Sequence, residues 1–280
     1  MKRIVAIAAL VLGVAAASVG AVSLHQVGNT GDDNDLLYLP NGRYLKIASL
    51  GHSALVADLV YLWSIQHYSD YEREDRFRYV EHVFGNVIAE LDPGFTDAYS
   101  LGAMILSVEA RDLPGALRLL DLGMERNPGD WILPYIAGWE CFHAGEFGKA
   151  SEYFAKASGI PGAPDLIARN RAGAVARSGD LGKAYRLWRE LYEDPEIDDT
   201  TRAIAERQVR EFHVRIDLKM IRGAVNAYHS RNGRWPAGID VLVDEGLLPG
   251  LPRDPDGLPY VFNPATGNVD SSANRILGDR

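Results

Sequence analysis

The sequence predicts a mainly α fold: an N-terminal membrane helix, a helical hairpin and an α-solenoid, followed by a small α+β domain. Three observations predict it. One phrase recurs at a fixed interval, as RDLPGALRLLDLG from Arg111, GEFGKASEYFAKA from Gly145 and GDLGKAYRLWREL from Gly179. Ala116, Ala150 and Ala184 then stand 34 positions apart, and so do Leu120, Phe154 and Trp188; a fixed period of this length marks a repeat architecture. Elsewhere apolar residues return at helical spacing. Beyond Gly233 the chain turns rich in Pro and Gly, with two short extended runs, PYVF and NVDS.

The first element is the apolar run Ile4–Leu24, preceded by Lys2 and Arg3 and followed by the acidic GNTGDDND. About 20 residues at ~1.5 Å rise cross a ~30 Å hydrocarbon core. Residues 1–24 therefore read as a signal anchor in a single-pass bacterial inner-membrane protein. Small residues (Ala15, Ala17, Gly20, Ser23) also leave a cleaved signal open, which would make the protein periplasmic. The charge asymmetry places the bulk of the chain on the exported side. Residues 25–44 read as a linker.

Residues 45–92 follow as a helical hairpin. Leu55, Leu59, Leu62 and Ile65, with Trp63, recur at helical spacing and predict a helix buried over much of its circumference. A charged break, EREDR, leads to a second helix around Phe77 to Leu91, stopped by Pro93 and Gly94. The hairpin is expected to pack beneath the first repeat or to lie near the membrane.

Residues 93–199 carry the three copies. Each places small residues where helices would cross: Ala103, Ala116 and Gly123; Gly138, Ala150 and Ala157; Ala172 and Ala184, with Leu191 in the last small position. Large residues (Leu120, Phe154, Trp188) fill the space beside them. Gly145 and Gly179 end the first helix of their pairs. The first copy has one extra residue, expected near Arg111–Gly115. From about Asp92 to Asp194 this pattern resembles the tetratricopeptide repeat, a helix–turn–helix unit that stacks into an α-solenoid, although Pro134 stands where that family usually has Trp. The resemblance implies a concave face lined by first helices. On it would stand Met104, Ile132, Tyr135, Trp139, Phe142, His143, Arg169 and Arg177, with Asp97 and Ser100, as a site for a protein or peptide. Aromatic and Arg side chains are the types that dominate binding energies.

Residues 200–280 change texture. Thr200 or Thr201 is expected to cap a helix through Ile204, Phe212, Ile216, Ile221, Ala224 and Tyr228, ended by Gly233. Then come Gly233–Pro236, Leu242–Leu248, the segment Pro252–Tyr260 and a hairpin turned by NPATG. In this order the pieces resemble the globular part of a type II secretion major pseudopilin, or a related type IV pilin-like subunit, and the resemblance implies a short helix across Leu242–Leu248. The cleavage-and-methylation glutamate of pilins is missing from MKRIVAIAALVLG, so a pilin-like head on a repeat scaffold is implied, not a filament subunit.

Bulk composition narrows the function. The 280 residues are 47% hydrophobic and 24% charged, ordinary globular values, with a net charge of -9. That charge argues against nucleic acid, whose backbone requires a basic face. The lone Cys141 excludes an internal disulfide and a cysteine-based zinc site, and reads as a small buried apolar residue. His67 and His82 flank the EREDR turn, and Asp254, Asp256 and Asp270 invite calcium; packing and turn formation account for them as well. No catalytic motif is present, and no cofactor or metal is expected. The expected function is a non-enzymatic, membrane-tethered envelope scaffold accessory to a type IV pilus or type II secretion-like machine. Its partners would be pilin-like subunits or their assembly machinery. A general envelope scaffold, or an enzyme with an inter-domain site, remain the alternatives.

Overall fold

The computed structural model describes residues 39–271 apart from 73–75. The apolar run Ile4–Leu24, most of the linker and the last nine residues lie outside them. The described chain is mainly helical, in the order α1 (Gly42–Ala48), α2 (Ser53–Tyr68), a π-helical turn π1 (His82–Ile88), α3 (Ala89–Leu91), α4 (Thr96–Met104), a second π turn π2 (Ile105–Glu109), α5 (Leu113–Arg126), α6 (Ile132–His143), α7 (Phe147–Ser158), α8 (Leu166–Arg177), α9 (Leu181–Glu193), α10 (Asp199–Asn232) and α11 (Ile239–Asp244). A two-stranded antiparallel sheet ends it, β1 (Val261–Asn263) on β2 (Asn268–Asp270), with Phe262 opposite Val269. No helix among the described residues is long and apolar enough to cross a membrane.

From α4 to α10 each helix packs on the next, so α4–α5, α6–α7 and α8–α9 form three stacked antiparallel pairs. The small residues make this possible. Ala103, Ala116, Ala150, Ala157, Ala172 and Ala184 are fully buried, and a Cβ added at Gly138 would sit 2.6 Å from the Phe154 ring. Gly145 and Gly179 end α6 and α8 at φ of 79° and 91°, a left-handed turn that glycine enters without a Cβ clash. Pro134 lies in the first turn of α6, where its missing N–H deprives no carbonyl of a partner.

The extra residue of the first copy does not lengthen the Arg111–Gly115 turn. It is taken up one turn earlier, in π2, where Ala110 N–H bonds the Ile105 carbonyl at 3.0 Å. A π turn holds one more residue than an α turn. The next turn then matches the other copies, and Arg111, at φ 56°, stands where they have glycine. Asp112 caps α5 by accepting from Gly115 N–H.

The N-terminal hairpin corrects a second expectation. α1 and α2 both pack on π1 and α3. α2 buries only Ala57, Val60, Ser64 and Tyr68. Leu55 and Leu59 are 58% exposed, Leu62 57% and Ile65 37%, so the leucine stripe faces outward. Small residues and Tyr68 fill that inward face, Tyr68 packing on Phe84 of π1 with ring centres 5.9 Å apart; α1 also comes close to π1, where a Cβ at Gly42 would meet the Val87 carbonyl at 2.5 Å. Arg126 fastens α5 to this layer, donating to the Ala89 carbonyl and to Glu90. That hydrogen bond holds the Glu90 carboxyl below its usual range, against the effect of partial burial. His82 and His67 find different partners: His82 Nε2 lies 3.0 Å from the Leu39 carbonyl, and His67 packs its ring on Trp63 and Tyr68.

Asp198, not Thr200 or Thr201, caps α10 by accepting from Thr201 N–H at 2.8 Å. The helix then serves two cores. Its first half places Ala205 and Phe212 against Ala184, Leu187 and Trp188 of the last pair. Its second half places Leu218, Ile221, Val225 and Tyr228 against Leu242, Leu248, Tyr260 and Val269. Tyr260 Oη donates to Asp217 Oδ2 at 2.9 Å, and burial followed by that bond pushes the phenol pKa upward. Gly233 ends α10 at φ 68°, and Trp235 stacks back on His229 with ring centres 3.8 Å apart. Asp254 is buried as a turn former, its Oδ1 accepting from the N–H groups of Asp256 and Leu258. Asp256 pairs with Arg210.

Candidate protein-binding surface

The first helices α4, α6 and α8 carry the eight residues singled out in the sequence. From Trp131, which precedes α6, the spacing of Trp131, Tyr135, Trp139 and Phe142 puts four rings along one face, since positions three and four apart are neighbours on a helix. They form a ladder: Trp131 to Tyr135 at 5.9 Å, Tyr135 to Trp139 at 6.3 Å and Trp139 to Phe142 at 5.3 Å, each close to edge-on. Edge-to-face pairs at such distances are favourable beyond their buried area. His143 continues the ladder with its ring 5.4 Å from Trp139.

Phe154 of the partner helix α7 is fully buried and supports the ladder from beneath, 6.0 Å from Tyr135 and 5.7 Å from Trp139. Tyr135, Trp139 and Phe142 are therefore half-buried, anchored on one side and open on the other. Trp139 packs on Phe154 of its own pair partner α7. Arg177 reaches across from α8 and places its guanidinium 5.9 Å from the centre of the Phe142 ring. A polar hollow of about 520 Å³ opens beside it, lined by Gly145, Glu146, Lys149, Glu152 and Ser178.

The other predicted residues stand further out. Met104 at the end of α4 is 47% exposed and Ile132 at the start of α6 is 43% exposed. Arg169, two turns before Arg177, lies near Asp198; after the Thr201 hydrogen bonds, its charge helps hold that carboxyl below its ordinary value. Asp97 is exposed, and Ser100 donates to the Thr96 carbonyl within its own helix. Tyr135, Trp139, Phe142, His143 and Arg177 thus form one cluster, while Met104, Ile132 and Arg169 lie around it.

Two features escaped sequence reasoning. π2 brings Val108 to the surface, 64% exposed, next to Met104 on the same helix. It also lets Ser107 donate to Glu140 of α6, tying the first and second pairs together. The only sequence signal was the extra residue of the first copy, which does not say where the bulge falls. Cys141 lies on the covered side of α6, and burial pushes its thiol up to about 11, so it is not a nucleophile at neutral pH.

Among the described residues, no three His, Cys, Asp or Glu side chains come together as metal ligands. The surface offers apolar and aromatic area with a cation at its edge, which suits the binding of a polypeptide. No protein-family model matches this chain, and no curated protein matches it.

Proposed function

We propose that this chain is a non-enzymatic scaffold of the bacterial envelope. Residues 1–24 would tether it to the inner membrane, the helix pairs would act as a tetratricopeptide array, and the tail as a pseudopilin-like head. The observation that carries this reading is the half-buried ring ladder on α6. Its rings are held rigid by Phe154 and edged by Arg177, so they lose little freedom when a partner docks. A segment presenting an apolar residue and a carboxylate would meet the Trp139–Phe142 edge and Arg177 together.

The tail supports the more specific reading, a role beside a type IV pilus or type II secretion-like machine. A long helix lies against a small hairpin, and a Trp–Pro turn and a short helix intervene. That order is the one the pseudopilin resemblance implies, and likeness of arrangement carries function only by analogy.

The test is a chain ending at residue 216, expressed in place of the full one in the organism that encodes it. It keeps Ala205 and Phe212 on the last pair. It should stay folded and membrane-bound while pilus assembly or secretion is lost. If both processes continue, the machine assignment fails and a general envelope scaffold is the better reading.

A further inference from the structure

Among the described residues, the outward face of the N-terminal hairpin is apolar and serves no core. Leu55, Leu59, Leu62 and Ile65 project from α2, and Tyr44 and Ile47 of the adjoining α1 are exposed, as is Leu50 in the turn between the two helices, at 88%. Because α1 and α2 both lie on π1 and α3, their opposite faces both turn away from the repeats. A contiguous apolar surface of this kind on a folded chain marks an interaction site.

Its position in the chain says what covers it. The first described residue, Leu39, follows the end of the apolar run at Leu24 by only 14 intervening residues (25–38). Fully extended, these span at most about 50 Å, at ~3.3–3.6 Å per residue. If residues 4–24 sit in a bilayer, the α1–α2 hairpin is the described part of the chain tethered nearest to it in sequence. Its charge fits the bilayer surface better than the rest of the molecule does. From Leu39 to Ser69 the only formally charged residues are Arg43, Lys46 and Asp58, in a chain of net charge -9. Arg43 is 80% exposed and 3.6 Å from Glu90, and Lys46 donates to the Glu90 carbonyl at 3.2 Å, so both sit at the margin of the apolar face. Tyr44 and Tyr71, both exposed, are of the amphipathic type that settles at headgroup level. Asp58 stands within the stripe, one turn from Leu55 and Leu62, and keeps the immersion shallow because a carboxylate stays in the hydrated layer.

We infer that the α1–α2 face lies on the surface of the lipid bilayer, as a second membrane contact beside the apolar run. This inference rests on the anchoring role proposed for residues 4–24. An apolar surface and a tether act together, since one weak membrane signal alone gives only marginal binding. The consequence is orientation: the hairpin at the lipid would hold the stacked pairs and the ring ladder at a set angle, not free on a leash.

The test uses the full chain in vesicles of phosphatidylcholine and phosphatidylglycerol, with an environment-sensitive fluorophore at Leu59→Cys or, as a control, at the exposed Glu152→Cys; the buried Cys141 stays unlabelled. Flotation with the vesicles reads the anchor separately. The expected result is flotation of both proteins, with the probe at 59 quenched by a nitroxide on the lipid chains and shielded from aqueous iodide. The probe at 152 should show the reverse. Adding Leu55→Ser and Leu62→Ser, both at exposed positions, should leave flotation intact and return the probe at 59 to water. If the chain floats but the probe at 59 remains open to iodide, the inference is overturned while the anchor stands. If that probe is shielded from both quenchers and two copies cross-link through α2, a second copy covers the face and the lipid contact is wrong. If the full chain does not float, the anchor reading fails and the lipid contact fails with it.

Discussion

At the scale of single residues, the three copies differ most at the turn between their helices. Gly145 and Gly179 take the left-handed conformation freely, but Arg111 adopts the same region with a full side chain. Left-handed backbone costs roughly 1–2 kcal/mol for a residue with a Cβ, and the greater freedom of unfolded glycine takes back part of the gain. Arg111→Gly should therefore stabilise the protein by about 0.5–1 kcal/mol in urea unfolding; a loss of stability would show that the Arg111 side chain makes a contact worth more than the strain. Cys141 offers a pH test. Its thiol is raised from 9.0 to about 11 by burial, so the fold favours the protonated form. The stabilisation is complete below the unfolded value and is lost as pH rises from about 9 towards about 11. Stability should fall more steeply across that window in the native sequence than in Cys141→Ala; equal slopes would mean that the thiol is not desolvated.

At the scale of elements, α10 decides how the tail joins the repeats. It lends Ala205 and Phe212 to the last pair and Ile221, Val225 and Tyr228 to the tail, so no boundary falls between pairs and tail at residue 199. Truncation after residue 199 strips Phe212 from Trp188 and Leu187. The loss of a buried Phe alone is worth roughly 3–5 kcal/mol. A chain ending at 199 should melt well below one ending at 216, which retains that contact. Equal melting temperatures would show that the pairs stand without α10. π2 acts similarly on a smaller scale: one inserted residue, absorbed inside a helix, exposes Val108 and sets Ser107 against Glu140.

At the scale of the whole molecule, the proposed exported topology predicts that a reporter active only outside the cytoplasm, fused after Arg280, is active; activity only of a cytoplasmic reporter would overturn it. The sequence alone determined the helical architecture, the three pairs and their crossings, because Ala116, Ala150 and Ala184, Phe154, and Gly145 and Gly179 act within about one repeat of their own position. It also marked Tyr135, Trp139 and Phe142, whose i, i+4, i+7 spacing places them on one face of any helix. Only the tertiary structure decided which way the α2 leucines point, because an apolar helix has no face of its own until a neighbour approaches, and here the close contact with π1 admits the Ala57–Val60–Ser64 side. The same holds for the π2 bulge, for the joining of Arg177 to Phe142 from a different helix, and for the sharing of α10. Each depends on which element lies alongside, and local periodicity carries no record of that.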